Sequence, residues 1–138
     1  MRFSRRFVLT AAAAMVLGGG AASAAAADSP DSSLWKRTEL YFGTSKPGGE
    51  VTEKEFADFS AKDITPRFPD GFTQLEGTGQ WRSGGGAVVR EHSIVLVVLY
   101  PPTNQHANAD LEQIRTDYKH LFDQESVLRT DSTARVSF

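Results

Sequence analysis

The chain has 138 residues, of which 15 are basic and 17 are acidic, and its formal net charge is −2. The absence of cysteine excludes disulfides and thiolate metal sites. The arginines are scattered, which argues against nucleic-acid binding because that function normally needs a concentrated basic patch.

The first residues have the features of an export signal. A basic start is followed by the apolar, alanine-rich residues 7–17, and residues 4–9 (SRRFVL) resemble the twin-arginine signature, which is read through Arg5 and Arg6. The apolar stretch is too short to span a membrane, so we expect cleavage after Ala24 or Ala27 and no retained membrane anchor. Residues 1–27 are therefore predicted to be a twin-arginine signal peptide of a secreted or extracytoplasmic protein.

Removal of this leader takes away three arginines and no acid, which leaves 12 basic and 17 acidic residues and a net charge of about −5. Such an acidic domain is a poor binder of anionic membrane surfaces. Residues 28–33 are polar and are expected to form a flexible tail, and residues 34–138 are expected to form one domain. About 110 residues suffice for a core without disulfides.

The first half of this domain predicts a strand and a helix. Residues 35–42 are rich in aromatic and β-branched types and end at Gly43, which indicates a strand. Thr52 and Glu55 form a capping-box pattern at the start of a helix, with Val51 and Phe56 as the hydrophobic staple. Because Pro66 disfavours helical geometry before it, the helix should end near Ile64.

A hairpin follows. Residues 72–82 contain Gly77 and Gly79, which predict a strand with a bulge or bend. Residues 83–86 (SGGG) would turn the chain into a second strand, residues 88–100, whose continuous apolar run is typical of a strand buried on both faces. We expect this strand in the sheet interior.

A second helix and a last strand complete the pattern. Asn108 or Asp110 can cap the helix, whose apolar residues follow the spacing of one buried face: Leu111, Ile114, Tyr118, Leu121 and Phe122. The last strand should occupy residues 127–138 and is either continuous or broken at Asp131 and Ser132.

The order β-α-β-β-α-β predicts an α+β, ferredoxin-like two-layer sandwich with a four-stranded antiparallel sheet and both helices on one face. Its central strand is apolar on both sides, so the uncovered face also needs shielding. We expect either a homodimer packed sheet to sheet or a covering loop, with Ile94, Leu96 and Val98 as the row to be shielded.

Four motifs in chain order resemble the bacterial domain-of-unknown-function family 3574: residues 35–43 (WKRTELYFG), 65–71 (TPRFPDG), 79–81 (GQW) and 122–127 (FDQESV). The resemblance extends from Trp35 to Phe138. It implies a small exported protein, and it implies no activity.

Three residues of the first strand are the leading candidates for a site. Strand side chains alternate, so Arg37, Glu39 and Tyr41 should share the face that the helices leave open. One interpretation is a surface salt link beside a half-buried tyrosine. The other is a site for a polar anion, in which Arg37 binds the anion, Tyr41 donates a hydrogen bond, and Glu39 orients Arg37 or acts as a base.

Further candidates lie on the hairpin and in a loop. Gln80, Arg82 and His92 are possible neighbours of the first three, although a bulge would shift their faces. His92 is the best-placed titratable group, with a structural role as the alternative. Arg67 either presents its guanidinium to an anionic ligand or pairs with Asp70 or Glu76.

No cofactor or metal site is predicted, because the three histidines lack ligand spacing and the SGGG segment lacks the Lys-Ser/Thr ending of a phosphate loop. A nucleophile motif is also missing. These observations favour a binding or assembly module with a polar small molecule as the ligand on the open sheet face. The alternative is a small extracytoplasmic enzyme that acts on a polar or anionic small molecule.

Overall fold

A computed structural model describes residues 31–138. The predicted signal peptide and residues 28–30 of the predicted tail lie outside the described residues. The elements in chain order are β1 (Ser33–Gly43), β2 (Ser45–Lys46), β3 (Gly49–Glu50), α1 (Glu53–Phe59), β4 (Thr73–Arg82), β5 (Val88–Tyr100), α2 (Ala107–Phe122) and β6 (Leu128–Val136).

The four long strands form one sheet in the order β4-β5-β1-β6, and all three neighbouring pairs are antiparallel. This is the strand order of a ferredoxin-like split βαβ fold, as predicted. The strand β5 lies between β4 and β1, which confirms its interior position. The short strands β2 and β3 form a separate antiparallel ribbon joined by a turn at residues 47–48.

The first helix begins at the predicted capping box. The Thr52 hydroxyl accepts a hydrogen bond from the Glu55 backbone N–H at 3.2 Å, and the Glu55 carboxylate accepts one from the Thr52 N–H at 2.8 Å. Lys46 Nζ lies 2.6 Å from Glu55 Oε1. The bond from Lys46, followed by those from Thr52, lowers the pKa of Glu55 to about 2. A π-helical turn continues the helix through Ser60–Ile64, so the predicted end is correct.

The second helix begins earlier than predicted. It starts at Ala107, and neither Asn108 nor Asp110 caps it. The side chain of Asn104 instead accepts hydrogen bonds from the N–H groups of His106 and Ala107, both at 3.1 Å, and so satisfies two free donors at the helix start. The side chain of Leu121 is 62% exposed and does not belong to the buried face.

Two irregularities that the sequence allowed, a bulge in the strand of residues 72–82 and a break in the last strand, are absent from the structure of residues 31–138. No bulge occurs in β4, because one register connects every pair from Thr73–Val97 to Arg82–Val88. The strand β4 is an edge strand with a single neighbour, so its glycines do not interrupt the pairing. Nor is β6 broken, since Asp131 pairs with Thr38 in a continuous register and accepts a hydrogen bond from its hydroxyl at 2.6 Å.

The core lies between the sheet and the helices. Thr38, Leu40 and Phe42 alternate along β1 toward the helices and are completely buried. The rings of Phe56, Phe59 and Tyr118 pack edgewise on Phe42, with centroid distances of 4.6 to 6.2 Å. On β5 the buried row beneath the helices consists of Ile94, Leu96 and Val98.

This arrangement corrects the row expected on the uncovered face. The register places Val95, Val97 and Leu99 there, opposite Tyr41, Glu39 and Arg37 respectively. The reason is alternation: residues of β5 that pair with the buried positions of β1 share their face.

Candidate functional site

The open face brings together Arg37, Glu39 and Tyr41, the three leading candidates. An Arg37 guanidinium nitrogen lies 2.5 Å from Glu39 Oε1, and the Tyr41 hydroxyl donates to Glu39 Oε2 at 2.5 Å. The hydrogen bond to Glu39 raises the pKa of Tyr41. Both oxygens of Glu39 are therefore used within the network, and the charge of Arg37 is compensated by its neighbour.

The structure separates Gln80, Arg82 and His92 from these three. In the unbroken register Thr78 pairs with His92 and Gln80 with Arg90, so these side chains point to the helix side of the sheet. The ring of His92 lies 2.9 Å from Glu76, beside a cleft of about 450 Å³ next to α1. The bulge that made their faces ambiguous in the sequence is absent from β4, and the expectation that they neighbour Arg37, Glu39 and Tyr41 is wrong.

Gln80 and Arg82 have local partners. The Gln80 amide oxygen accepts a hydrogen bond from Arg90 at 2.7 Å, and a guanidinium nitrogen of Arg82 donates to the Gly86 carbonyl at 2.9 Å. Both contacts belong to the hairpin itself.

Arg67 connects the two helical segments. It donates to the Asp63 carbonyl at 2.6 Å, and its guanidinium lies 3.6 to 4.0 Å from carboxylate oxygens of Asp63, Asp110 and Asp117. The predicted partners Asp70 and Glu76 are not among these contacts. A guanidinium that bridges a π-helical turn to α2 stabilises the helix layer.

A row of residues with small or absent side chains crosses the open face where β1 ends. Ser93 pairs with Gly43 on one side and with Gly77 on the other, and Gly79 pairs with Glu91 in the next row. The lack of side chains leaves a cleft of about 830 Å³, which we call the glycine cleft. Trp81 and Tyr41 contribute aromatic rings to its lining, and Leu128 of β6 closes one edge.

Glu91 is fixed at the floor of the glycine cleft. Its carboxylate accepts hydrogen bonds from the Trp81 indole N–H at 2.7 Å and from the Ser45 backbone N–H at 2.8 Å. A Cβ atom at Gly43 would lie 2.5 Å from Glu91 Oε1, so only a glycine allows the carboxylate to lie against β1. Across residues 31–138, no cationic side chain forms an ion pair with Glu91.

The walls of the cleft come from two connected loops. The chain leaves α2 at Asp123, whose φ of 51° is left-handed and ends the helix. The Gln124 amide then donates to the Ser45 carbonyl at 2.7 Å, which joins the segment after α2 to the β2 ribbon. Below the cleft the buried Tyr118 hydroxyl donates to the Gly43 carbonyl at 2.8 Å, and burial raises the pKa of Tyr118.

The charge of the cleft is negative. Its lining contains the carboxylates of Glu91, Asp123 and Glu125. The one lining cation is Lys46, counted over the part of the chain that the structure describes. The Lys46 ammonium is already paired with Glu55 and lies 5.5 Å from the centre of the Phe122 ring. An incoming positive charge would therefore meet uncompensated carboxylates.

Glu91, Trp81 and Gly43 are not among the candidate site residues that were predicted from the sequence. A usable signal was present in the hairpin: with no bulge in β4, the turn at residues 83–86 fixes Gly79 opposite Glu91. The contact of Gln124 with Ser45 joins positions 79 residues apart, and no local pattern indicates it.

Residues 31–138 contain neither a metal-binding cluster nor a membrane-spanning helix. They contain no group of three or more histidine, aspartate or glutamate side chains arranged to hold a metal ion. None of the helices in this range combines the length and apolar character needed to cross a membrane.

Comparison with solved structures identifies the same fold in a phage enzyme. A phage SAM lyase in complex with S-methyl-5′-thioadenosine has a TM-score of 0.59 and 12% identity, over 75% of this chain and 90% of the lyase. The apo state of a phage SAM lyase has a TM-score of 0.56 and 13% identity, over 76% and 90% of the two chains. At these identities the likeness shows the fold alone.

Comparison with curated proteins gave no match. The family model of DUF3574, described as a protein of unknown function, matches residues 37–138 and confirms the resemblance carried by the four motifs. Three of those motifs, at residues 35–43, 79–81 and 122–127, contribute to the lining of the glycine cleft. This chain belongs to the DUF3574 family.

Proposed function

We propose that this domain is an exported binding module that holds a small organic cation in the glycine cleft. The observation that carries the proposal is the Glu91 carboxylate, which two neutral N–H donors fix in a cleft large enough for a small molecule. Neutral donors hold the carboxylate in place without cancelling its charge.

The lining supports a cation that also has an aromatic or methylated group. The faces of tryptophan and tyrosine rings attract cations, and such contacts are worth about 0.5–2 kcal/mol depending on solvent exposure. Trp81 and Tyr41 supply these rings beside Glu91, and Asp123 and Glu125 add further negative charge.

An anionic ligand at Arg37, the first expectation for this face, has weaker support. The guanidinium of Arg37 is paired with Glu39, and an incoming anion would have to compete with that carboxylate. We therefore assign Arg37 and Glu39 to the structure of the sheet face and place the ligand one row further along β1.

The phage lyase that shares this fold supplies two probes, SAM and S-methyl-5′-thioadenosine. SAM carries a sulfonium cation and an amino-acid group, whereas S-methyl-5′-thioadenosine is a neutral thioether that lacks both. The demethylated thioether of SAM retains the amino-acid group and lacks the sulfonium charge, so adding it as a third probe isolates the contribution of that charge. Titration calorimetry of the mature domain should show tighter binding of SAM. Equal affinities, or binding of the neutral compound alone, would contradict a cation site.

The decisive variant is Glu91→Gln, which retains the shape of the side chain and removes its charge. We expect it to weaken SAM binding about tenfold or more, since loss of a charged partner costs about 1.5–3 kcal/mol. Glu76→Gln is the matched control, because Glu76 lies on the other face of the same hairpin. Consumption of SAM during the titration would instead favour the enzyme interpretation.

Export by the twin-arginine route is the second part of the proposal and is tested separately. Replacing Arg5 and Arg6 together by lysine preserves the positive charge and removes the guanidinium pair that the export receptor reads. The precursor should then remain inside the cell. Unchanged secretion of the double variant would favour the general secretory route.

A further inference from the structure

We propose that two copies of this chain pack through the open faces of their sheets, with the dimer axis near Val97. The contact is centred on four apolar residues, which we call the open-face patch: Leu75, Val95, Val97 and Leu99. This inference is independent of the ligand proposed for the glycine cleft.

The open-face patch is continuous across two strands. Leu75 is directly opposite Val95 in the β4-β5 register, and Val97 and Leu99 follow on the same face of β5. Leu75 is 51% exposed and Leu99 40% exposed. Single exposed apolar side chains are common on protein surfaces, whereas large contiguous apolar patches are typical of interaction sites.

The size of the face is sufficient for a specific contact. Four strands about 4.8 Å apart, paired over about eight residues of 3.3 Å each, give a projected area of about 500 Å² on each copy. Two copies then bury about 1,000 Å² in total, which reaches the lower bound for a biological interface. The true accessible area exceeds this projection because side chains make the surface rough.

The charges beside the patch favour a second copy over a charged partner. Arg37 and Glu39 lie next to each other on this face, opposite Leu99 and Val97, and they compensate each other. Because the pair is neutral as a whole, the open faces of two copies can approach without net electrostatic repulsion. A strongly charged partner would find no net opposite charge at these two residues.

Val97 marks the centre of the contact. It pairs with Glu39 of β1 on one side and Thr73 of β4 on the other, so it lies inside the sheet away from every edge. Residues near a two-fold axis lie close to their own copies. The glycine cleft lies at the end of the face: on β5 its lining ends at Ser93, and from the Val95 row it includes only Tyr41 and Leu128 of the neighbouring strands.

Sedimentation velocity of the mature domain at increasing concentration tests the proposal. We expect a dimer for the natural sequence, and a dissociation constant raised about a hundredfold or more for the double variant Leu75→Glu, Leu99→Glu, because charges at an interface centre oppose its burial. Leu121→Glu is the matched control: it places the same charge at an exposed leucine of α2 and should leave the dimer intact.

A second measurement covers the case in which the double variant does not fold. The chain contains no cysteine, so Val97→Cys introduces a single thiol. A short cysteine-specific cross-linker should convert this variant to a covalent dimer, and Leu121→Cys should remain uncrosslinked. A monomer at all concentrations, or a dimer that survives the two glutamates and fails to cross-link through residue 97, would overturn the proposal.

Discussion

The two faces of the sheet are built from alternate residues of the same strands, and they have opposite properties. Thr38, Leu40 and Phe42 are completely buried beneath the helices, whereas Arg37, Glu39 and Tyr41 form a polar network on the other side. The covered face contributes packing to stability. The contacts of the open face are polar and partly exposed and contribute less to stability, so substitutions on the two faces should have separate effects.

The largest expected effect is on the covered face. Phe42→Ala removes the ring that contacts Phe56, Phe59 and Tyr118, and it should lower the free energy of unfolding by about 3–5 kcal/mol. Tyr41→Phe, one residue away on the open face, removes only a hydrogen bond and should cost about 1 kcal/mol or less. Urea denaturation measures both. Similar losses of unfolding free energy for the two variants would contradict the conclusion that the covered face contributes more to stability than the open face.

An intermediate effect is expected at the start of α1, in the helix layer. The pKa of Glu55 is lowered from 4.5 to about 2 in the folded state, so its carboxylate favours the native state above pH 4.5. The unfolded chain takes up the proton first, and this stabilisation should decrease as the pH falls from 4.5 toward 2.

Melting temperatures of Glu55→Gln across this pH range test the assignment. The variant should be less stable than the natural sequence at neutral pH and should lose less stability on acidification. Glu53→Gln removes one carboxylate from the same helical turn and is the matched control. Parallel acid profiles for the natural protein and Glu55→Gln would exclude the proposed contribution.

A smaller effect on stability, with a clear effect on recognition, is expected at the floor of the glycine cleft. Gly43→Ala places a Cβ atom 2.5 Å from Glu91 Oε1 and should displace that carboxylate, which is the mobile end of a side chain. Gly77→Ala is the matched control, because no atom lies within 4 Å of a Cβ there. We expect weaker SAM binding only for Gly43→Ala, with both melting temperatures within a few degrees of the natural value. Equal SAM binding by the two variants would show that Glu91 does not contribute to ligand binding.

The smallest expected effect is that of the double variant Arg37→Ala, Glu39→Ala. An exposed ion pair contributes little, so the free energy of unfolding should change by less than about 1 kcal/mol. SAM binding should also persist, since these residues lie outside the lining of the glycine cleft. Loss of SAM binding with an unchanged melting curve would instead indicate that Arg37 or Glu39 belongs to the ligand site.

Local patterns in the sequence predicted the parts of the fold that depend on neighbouring residues. The alternation along β1 assigned Arg37 and Leu40 to opposite faces, and the spacing of Thr52 and Glu55 located the start of α1. The ferredoxin-like order followed from the succession of elements. Each of these features is fixed by contacts within a few residues along the chain.

The composition of the candidate site could not be predicted in the same way. Gly77 and Gly79 left the register of β4 ambiguous, because a bulge there would have changed the faces of Gln80 and Arg82. The register depends on pairing with β5, and the wall of the cleft depends on Gln124 reaching Ser45 across 79 positions. Such long-range contacts leave no local periodicity in the sequence.

Gly79 shows that the volume of the glycine cleft is not required by the backbone. It lines the cleft, has no left-handed φ, and a Cβ atom there would come no closer than 3.5 Å to Ser93, an ordinary contact distance. An alanine at such a position usually stabilises a protein by about 0.4–1 kcal/mol. Substituting larger residues at this one position would therefore reduce the space for a ligand while the sheet remains intact, so residue 79 is a position at which the size of the accepted molecule can be changed.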